Sequence, residues 1–343
     1  MAGSERHAAA GRAPSPATGV VVIGRNEGAR LAACLQALRG QPRPVVYVDS
    51  GSRDDSVALA RGLCDAVLPL DPARPFSAAR ARNEGAALLH ARWPGLRHVQ
   101  FLDGDCIVDP AWLDAAEAAL DAEPGCALVV GHLRERHPEA SPYNRLCALE
   151  WHSPAGRLER PGQIGGLMMV RLAVFELLGG FRTEVIAGED SEFGVRVALA
   201  GHHLRKLDAA MATHDADMHR FGQWWTRAVR AGHAIGQRAH LHGRGPLQDC
   251  ARERASTWAW GLALPAAALA LAPASRGVSL ALLAAYGLLA WRIYRHRRGQ
   301  GDSAGDAWLY TRFNLLAKFA NAWGLLKFQA NQARGHYRLI EYK

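Results

Sequence analysis

A chain of 343 residues, 49% hydrophobic and 21% charged, has the composition of a folded protein with one large domain and an appendage, which excludes a disordered chain. The net charge of +9 sits at one end: residues 251–343 hold 13 Lys/Arg against 4 Asp/Glu, leaving 28 of each sign in residues 1–250. That asymmetry excludes a general nucleic-acid surface and favours attraction of the C-terminal part to anionic lipid head groups.

Six cysteines without a Cys-x-x-Cys pair read as reduced packing residues of a cytosolic compartment. Residues 1–17, rich in Ala, Gly, Ser and Pro, read as a disordered tail and not a signal peptide. An α/β domain is expected over residues 18–240. Gly19–Ile23 is a short apolar strand, followed by Arg25-Asn26-Glu27 and a helix from about Gly28 to Leu38. Val45–Val48 is a second strand running into Asp49-Ser50-Gly51-Ser52, whose Ser/Asp cluster can cap a helix over Asp54–Gly62. A third strand is expected at Ala66–Leu68 and a helix at Ser77–Ala91 carrying Arg80 and Arg82. Val99–Leu102 is the fourth strand and ends in Asp103-Gly104-Asp105. Strands alternating with helices imply βαβ units and a mostly parallel sheet.

A carboxylate at one strand end is usually a cap or a solvated turn. Here Glu27, Asp49 and the Asp103/Asp105 pair all project from one edge, the edge where open α/β sheets bind ligands. Paired carboxylates suit a hard divalent cation, and Arg80 and Arg82 would complete a site for a metal–diphosphate, or else stand as solvated helix charges.

The segments Val-Val-Ile-Gly-Arg-Asn-Glu, Val-Asp-Ser-Gly-Ser-Arg-Asp-Asp-Ser, Ala-Arg-Asn-Glu-Gly and Leu-Asp-Gly-Asp resemble those of the family 2 glycosyltransferases, which have the GT-A fold. The resemblance runs from about Thr18 to Arg238. It implies that Glu27 and Asp49 bind the nucleoside. Arg82, with Arg80 beside it, would meet the diphosphate. Asp103 would touch the ribose, and Asp103 and Asp105 would hold Mg²⁺ or Mn²⁺, with Asp105 the better ligand. A nucleotide sugar is implied as donor, uridine being the commoner base. On the acceptor side, Ala127–Gly131 is expected as a strand and Tyr143–Trp151 as a helix. Gly165-Gly166 with Leu167–Val170 resembles the family's strand beside the acceptor, and Gly179-Gly180-Phe181 its following turn. Gly188-Glu189-Asp190 resembles the Glu-Asp motif whose aspartate is the general base of an inverting transfer, so Asp190 takes that role; without the motif, the pair reads as a favoured helix N-terminus. His214 follows a strand-like stretch and is either a further metal ligand or a polar loop residue. Gln223-Trp224-Trp225-Thr226-Arg227 resembles the Gln-x-x-Arg-Trp element of processive relatives but departs from it, since Arg227 is four residues on and no Trp follows. Trp224 and Trp225 stack on a sugar, rest at a lipid interface, or serve as core aromatics.

After a connector at 241–256, Thr257–Ala272 and Val278–Trp291 are free of charge and flanked by arginines. They are expected to form a hydrophobic helical hairpin over 257–294, transmembrane by the positive-inside rule, with a shallow re-entrant hairpin or a soluble helix pair as alternatives. Over 295–343, a basic loop leads to a helix with Leu309, Phe313, Leu316, Trp323 and Leu326 at helical spacing, which lies in the membrane surface or packs on the catalytic domain. The expectation is a metal-dependent, inverting glycosyltransferase at the cytoplasmic face of the inner membrane, acting on a lipid-linked or polysaccharide acceptor, with nucleotide sugar and membrane lipids as partners and no nucleic acid. A sugar-nucleotide nucleotidyltransferase and a non-catalytic nucleotide-binding membrane scaffold are the alternatives.

Overall fold

Four apolar runs build the parallel half of a nine-stranded sheet. The computed structural model describes residues 16–335, so the expected tail lies, up to residue 15, outside the described residues. β1 (Thr18–Gly24), α1 (Ala29–Ala37), β2 (Val45–Asp49), α2 (Ser56–Arg61), β3 (Ala66–Pro69), α3 (Ala78–Arg92) and β4 (His98–Asp103) alternate as expected. β1, β2 and β4 are buried along nearly their whole length, because helices cover both faces; they therefore read as continuous rather than alternating apolar runs. β1 pairs in parallel with β2 and β4, and β2 with β3. Gly24 lies opposite Asp49, and Ile23 opposite Asp103, so the acidic strand ends share one edge.

The second half contains β5 (Cys106–Val108), α4 (Trp112–Ala122), β6 (Cys126–Glu135), α5 (Pro142–Glu150), β7 (Gly156–Arg157), β8 (Met168–Arg171), α6 (Leu172–Leu177), α7 (Glu189–Leu199) and β9 (His203–His214). The strand order is β3-β2-β1-β4-β8-β6-β9-β5, with β7 paired to β9. β8 runs antiparallel between β4 and β6, whereas β9 is parallel to β6 and antiparallel to β5. The sheet is therefore mixed, correcting the expectation of a mostly parallel one. β5 and β8 are three and four residues long, and each pairs only with antiparallel neighbours. α4 is anchored in the core by Trp112, whose indole N–H donates to Oε1 of the buried Gln100 at 2.8 Å.

Past the sheet come α8 (Phe221–His242), α9 (Ala251–Trp258), a π-helical turn at Ala259–Ala263, α10 (Leu264–Ala270), a 3₁₀ stretch at Val278–Leu283, α11 (Ala284–Gly299) and α12 (Ala304–Arg334). The expected hairpin exists, but no helix among the described residues is long and apolar enough to cross a membrane, which corrects the transmembrane reading. A span needs about 20 apolar residues in one helix. Here the first arm passes through the π turn and stops at Ala270, and the second opens as 3₁₀. α12 packs along α8, so one of its faces is inner core. A Cβ at Gly324 would overlap the Val229 carbonyl, and one at Gly232 the Asn321 carbonyl, so the two backbones meet at paired glycines. Trp224 and Phe313 pack edge-to-face across the same seam, 4.8 Å between centroids.

Candidate active site

The acidic sheet edge, the start of α7 and the facing sides of α8 and α12 enclose a cleft of about 1010 Å³. Into it the fold brings Glu27, Arg82, Asp103, Asp105, Gly166, Glu189, Asp190, His214, Trp224 and Arg227. Arg80, Asp49, Gly165 and Trp225 do not line it. Arg80 turns the other way: its Nε binds Glu84 at 2.7 Å and its Nη1 donates to the Asp71 and Arg74 carbonyls, fastening α3 to the preceding loop. Asp49 is buried and accepts from the Tyr47 hydroxyl and the Gly51 and Ser52 N–H groups. It shapes the loop whose Ser50 reaches the cleft. Asn26, in the left-handed region at φ 55°, accepts from Arg53 N–H through its side chain and donates its own N–H to Ser52 Oγ, tying the β1 loop to the β2 loop.

Arg82 joins the two sides of the cleft. Nη2 donates to Asp103 Oδ1 at 2.8 Å and Nη1 to Glu189 Oε1 at 2.6 Å, with the guanidinium almost wholly buried. Burial works against its charge, but Asp103 and Glu189 outweigh that, so it is held more firmly protonated than an ordinary arginine. Gly166 lies against the clamp: a Cβ there would overlap Arg82 Nη2 and come within 3.2 Å of Asp103 Oδ2. The next motif residue, Asn83, donates to the Phe181 carbonyl at 2.7 Å and accepts from its N–H at 2.8 Å, pinning the Gly179-Gly180-Phe181 turn to α3.

α7 opens from Gly188 in the left-handed conformation (φ 72°). Asp190 Oδ1 accepts from Ser191 N–H at 2.6 Å, and Ser191 Oγ donates to the Ile164 carbonyl. Burial, reinforced by neighbouring Glu189, pushes the Asp190 carboxyl up to about 6, with Arg82 opposing. A carboxylate so placed can take a proton from a hydroxyl near neutral pH. Further along α7, the buried Glu192 binds Arg196 and His242, which anchors the helix that presents Asp190.

The candidate metal ligands separate into two pairs. Asp103 is occupied with Arg82, whereas Asp105 faces His214, Oδ2 to Nε2 at 3.5 Å. Asp105, Cys106 and His214 present ligand atoms within 4.8 Å of one another. Burial and neighbouring Asp105 hold the Cys106 thiol well above its usual range, and the carboxylate and imidazole beside it are donors that suit Mn²⁺ or Mg²⁺. Asp105 and His214 thus face each other, whereas Asp103 is paired with Arg82. Three residues escaped the sequence reading. Glu135 ends β6 opposite His214; Arg238 on α8 lines the cleft and pairs with Asp249; Asn314 reaches the cleft from α12.

The family model described as "Glycosyl transferase family 2" matches residues 19–177. Glycosyltransferase AglE of Haloferax volcanii is 26% identical over 235 residues, covering 63% of this chain and 72% of that protein. Among solved structures, a mannosyltransferase of Pyrobaculum calidifontis in complex with GDP-Man and Mn²⁺ is 24% identical with a TM-score of 0.59, over 90% of this chain and 87% of that one. S. aureus TarS 1-349 in complex with UDP is 15% identical with a TM-score of 0.53, over 93% and 92%. At these identities the structural likeness shows a shared fold.

Proposed function

We propose that this chain, whose residues 19–177 match the model of the family 2 glycosyltransferases, moves a sugar from a nucleoside-diphosphate donor to an acceptor hydroxyl with inversion, Asp190 serving as the base. The observation that carries this is the Arg82 clamp, which links the donor-side Asp103 to the Glu189 next to Asp190. The acceptor hydroxyl gives its proton to Asp190 as its oxygen bonds to the anomeric carbon, and the bond from that carbon to the diphosphate breaks on the opposite face. A divalent ion held by Asp105 and His214 would neutralise charge on the departing diphosphate. The Pyrobaculum neighbour carries GDP-Man with Mn²⁺ and the S. aureus neighbour UDP, so uridine and guanosine both stand as bases. Calorimetry of UDP and GDP, with and without Mn²⁺, on wild type and Asp105→Ala tests the donor site. Metal-dependent binding of one nucleotide, lost in the variant, is expected; no binding under any metal would sink the nucleotide-sugar reading.

We further propose a lipid-linked or growing-glycan acceptor, met at a membrane surface on the cytoplasmic side. Thirteen of the seventeen exposed large apolar side chains among the described residues fall between Leu262 and Trp323, on the hairpin and the outer face of α12. Arg276, Arg292, Arg295 and Arg298 stand among or beside them, a combination suited to anionic head groups.

A further inference from the structure

We propose that Glu135 is the positioning residue of the metal site, holding the His214 ring so that Nε2 points at Asp105 with its lone pair free. This rests on the reading of Asp105 and His214 as ligands. The arrangement comes from sheet register, not from a loop. β9 lies between β6 and β5; its last residue, His214, is in register with Glu135 on one side and Cys106, next to Asp105, on the other. The imidazole therefore sits between two carboxylates, one at each nitrogen: Nε2 is 3.5 Å from Asp105 Oδ2 and Nδ1 is 3.8 Å from Glu135 Oε2. Trp151 meets the ring edge-on, 5.0 Å between centroids, and limits its rotation.

An imidazole can bind a cation through one nitrogen only if its proton is on the other, and a carboxylate behind that second nitrogen fixes the tautomer and makes the ring a better donor. Glu135 is built for that place. Its side chain has no exposure to solvent. Oε1 accepts from Asn144 Nδ2 at 3.3 Å and from His137 N–H at 3.2 Å, and Oε2 accepts from Ala216 N–H at 3.2 Å. These three donors come from α5, from the turn after β6 and from the segment after His214, so the carboxylate is immobilised from three directions. Nδ1 of His214 makes no hydrogen bond to the described residues, which leaves Glu135 as the group it faces.

The experiment is a Mn²⁺ titration of the full chain, read from the electron paramagnetic resonance of the free aqua ion. It compares wild type, Glu135→Gln, His214→Ala and the double variant, each checked for folding by thermal melting. His214→Ala weakens Mn²⁺ binding, Glu135→Gln weakens it about tenfold, and the double variant binds no more weakly than His214→Ala, because Glu135 acts through the ring. If Glu135→Gln binds like wild type while His214→Ala does not, the positioning role is wrong and the metal site stands. If the full Glu135→Gln loss persists without His214, Glu135 acts only as a distant charge or as scaffold, and the proposal is overturned. If His214→Ala binds like wild type, the ligand reading itself fails. Should Glu135→Gln not fold, Glu135→Asp, which withdraws the carboxylate by one methylene, enters the same cycle with a smaller loss expected.

Discussion

Asp190 shows how one side chain ties chemistry to stability. Its carboxyl is pushed up to about 6 by burial and by Glu189, so the turnover of free enzyme is expected to rise with pH through about 6 as the base ionises. The same shift costs stability. Between about pH 4 and pH 6 the folded protein keeps a proton that the unfolded chain has lost, so stability falls as pH rises through that window. Asp190→Asn is therefore expected to abolish turnover, retain nucleotide binding, and be more stable than wild type at pH 8, by at most about 3 kcal/mol, a gain that disappears below pH 4; an unchanged or lowered melting point at pH 8 would contradict the buried-charge account. Gly166→Ala should disturb the Arg82 clamp and lower kcat, with little loss of fold. At this scale a short motif led to residues that the fold brings into the cleft, as with Asp105 and Asp190, and misled where two similar residues compete. Arg80 and Arg82 are two positions apart on α3, about 200° around a helix, so they cannot both face the cleft. Glu135 was illegible because its partner lies 79 residues away in the chain, and only strand register brings them together.

The elements followed their patterns when burial on both faces or helical spacing was strong, and failed where length decided. β1, β2, β4 and α3 appear within a residue or two of expectation. β5 is three residues long, too short for any periodicity, and is a strand only because β9 pairs with it. The absence of charge over 257–272 and 278–291 is real, yet it signals an exposed hairpin and not a span, since charge-free sequence carries no information about where a helix will stop. α12 was ambiguous for a related reason: both its faces are apolar, one against α8 and one outward. The small residues of its inner face set the seam. Gly324→Ala or Gly232→Ala is expected to force the helices apart and cost about 1–3 kcal/mol, measured by urea unfolding. The double variant should cost less than the sum, because one separation relieves both contacts.

For the whole molecule, the cleft and the exposed apolar surface share a wall. Tyr310, Phe313 and Asn314 of α12 line the cleft, while Trp308, Leu316 and Trp323 of the same helix face outward. Replacing Leu269, Leu271 and Val278 together by Ser is expected to abolish flotation with anionic vesicles while leaving nucleotide binding unchanged; equal flotation of the triple variant would remove the hairpin from the membrane reading. A wall one helix thick measures about 10 Å. An amphiphilic acceptor whose head entered past it could keep its tail in the lipid throughout the reaction. Its encounter with the base would then be a two-dimensional search: diluting the acceptor with inert lipid at constant bulk concentration would slow the enzyme, whereas diluting the whole suspension, once the protein is bound, would not.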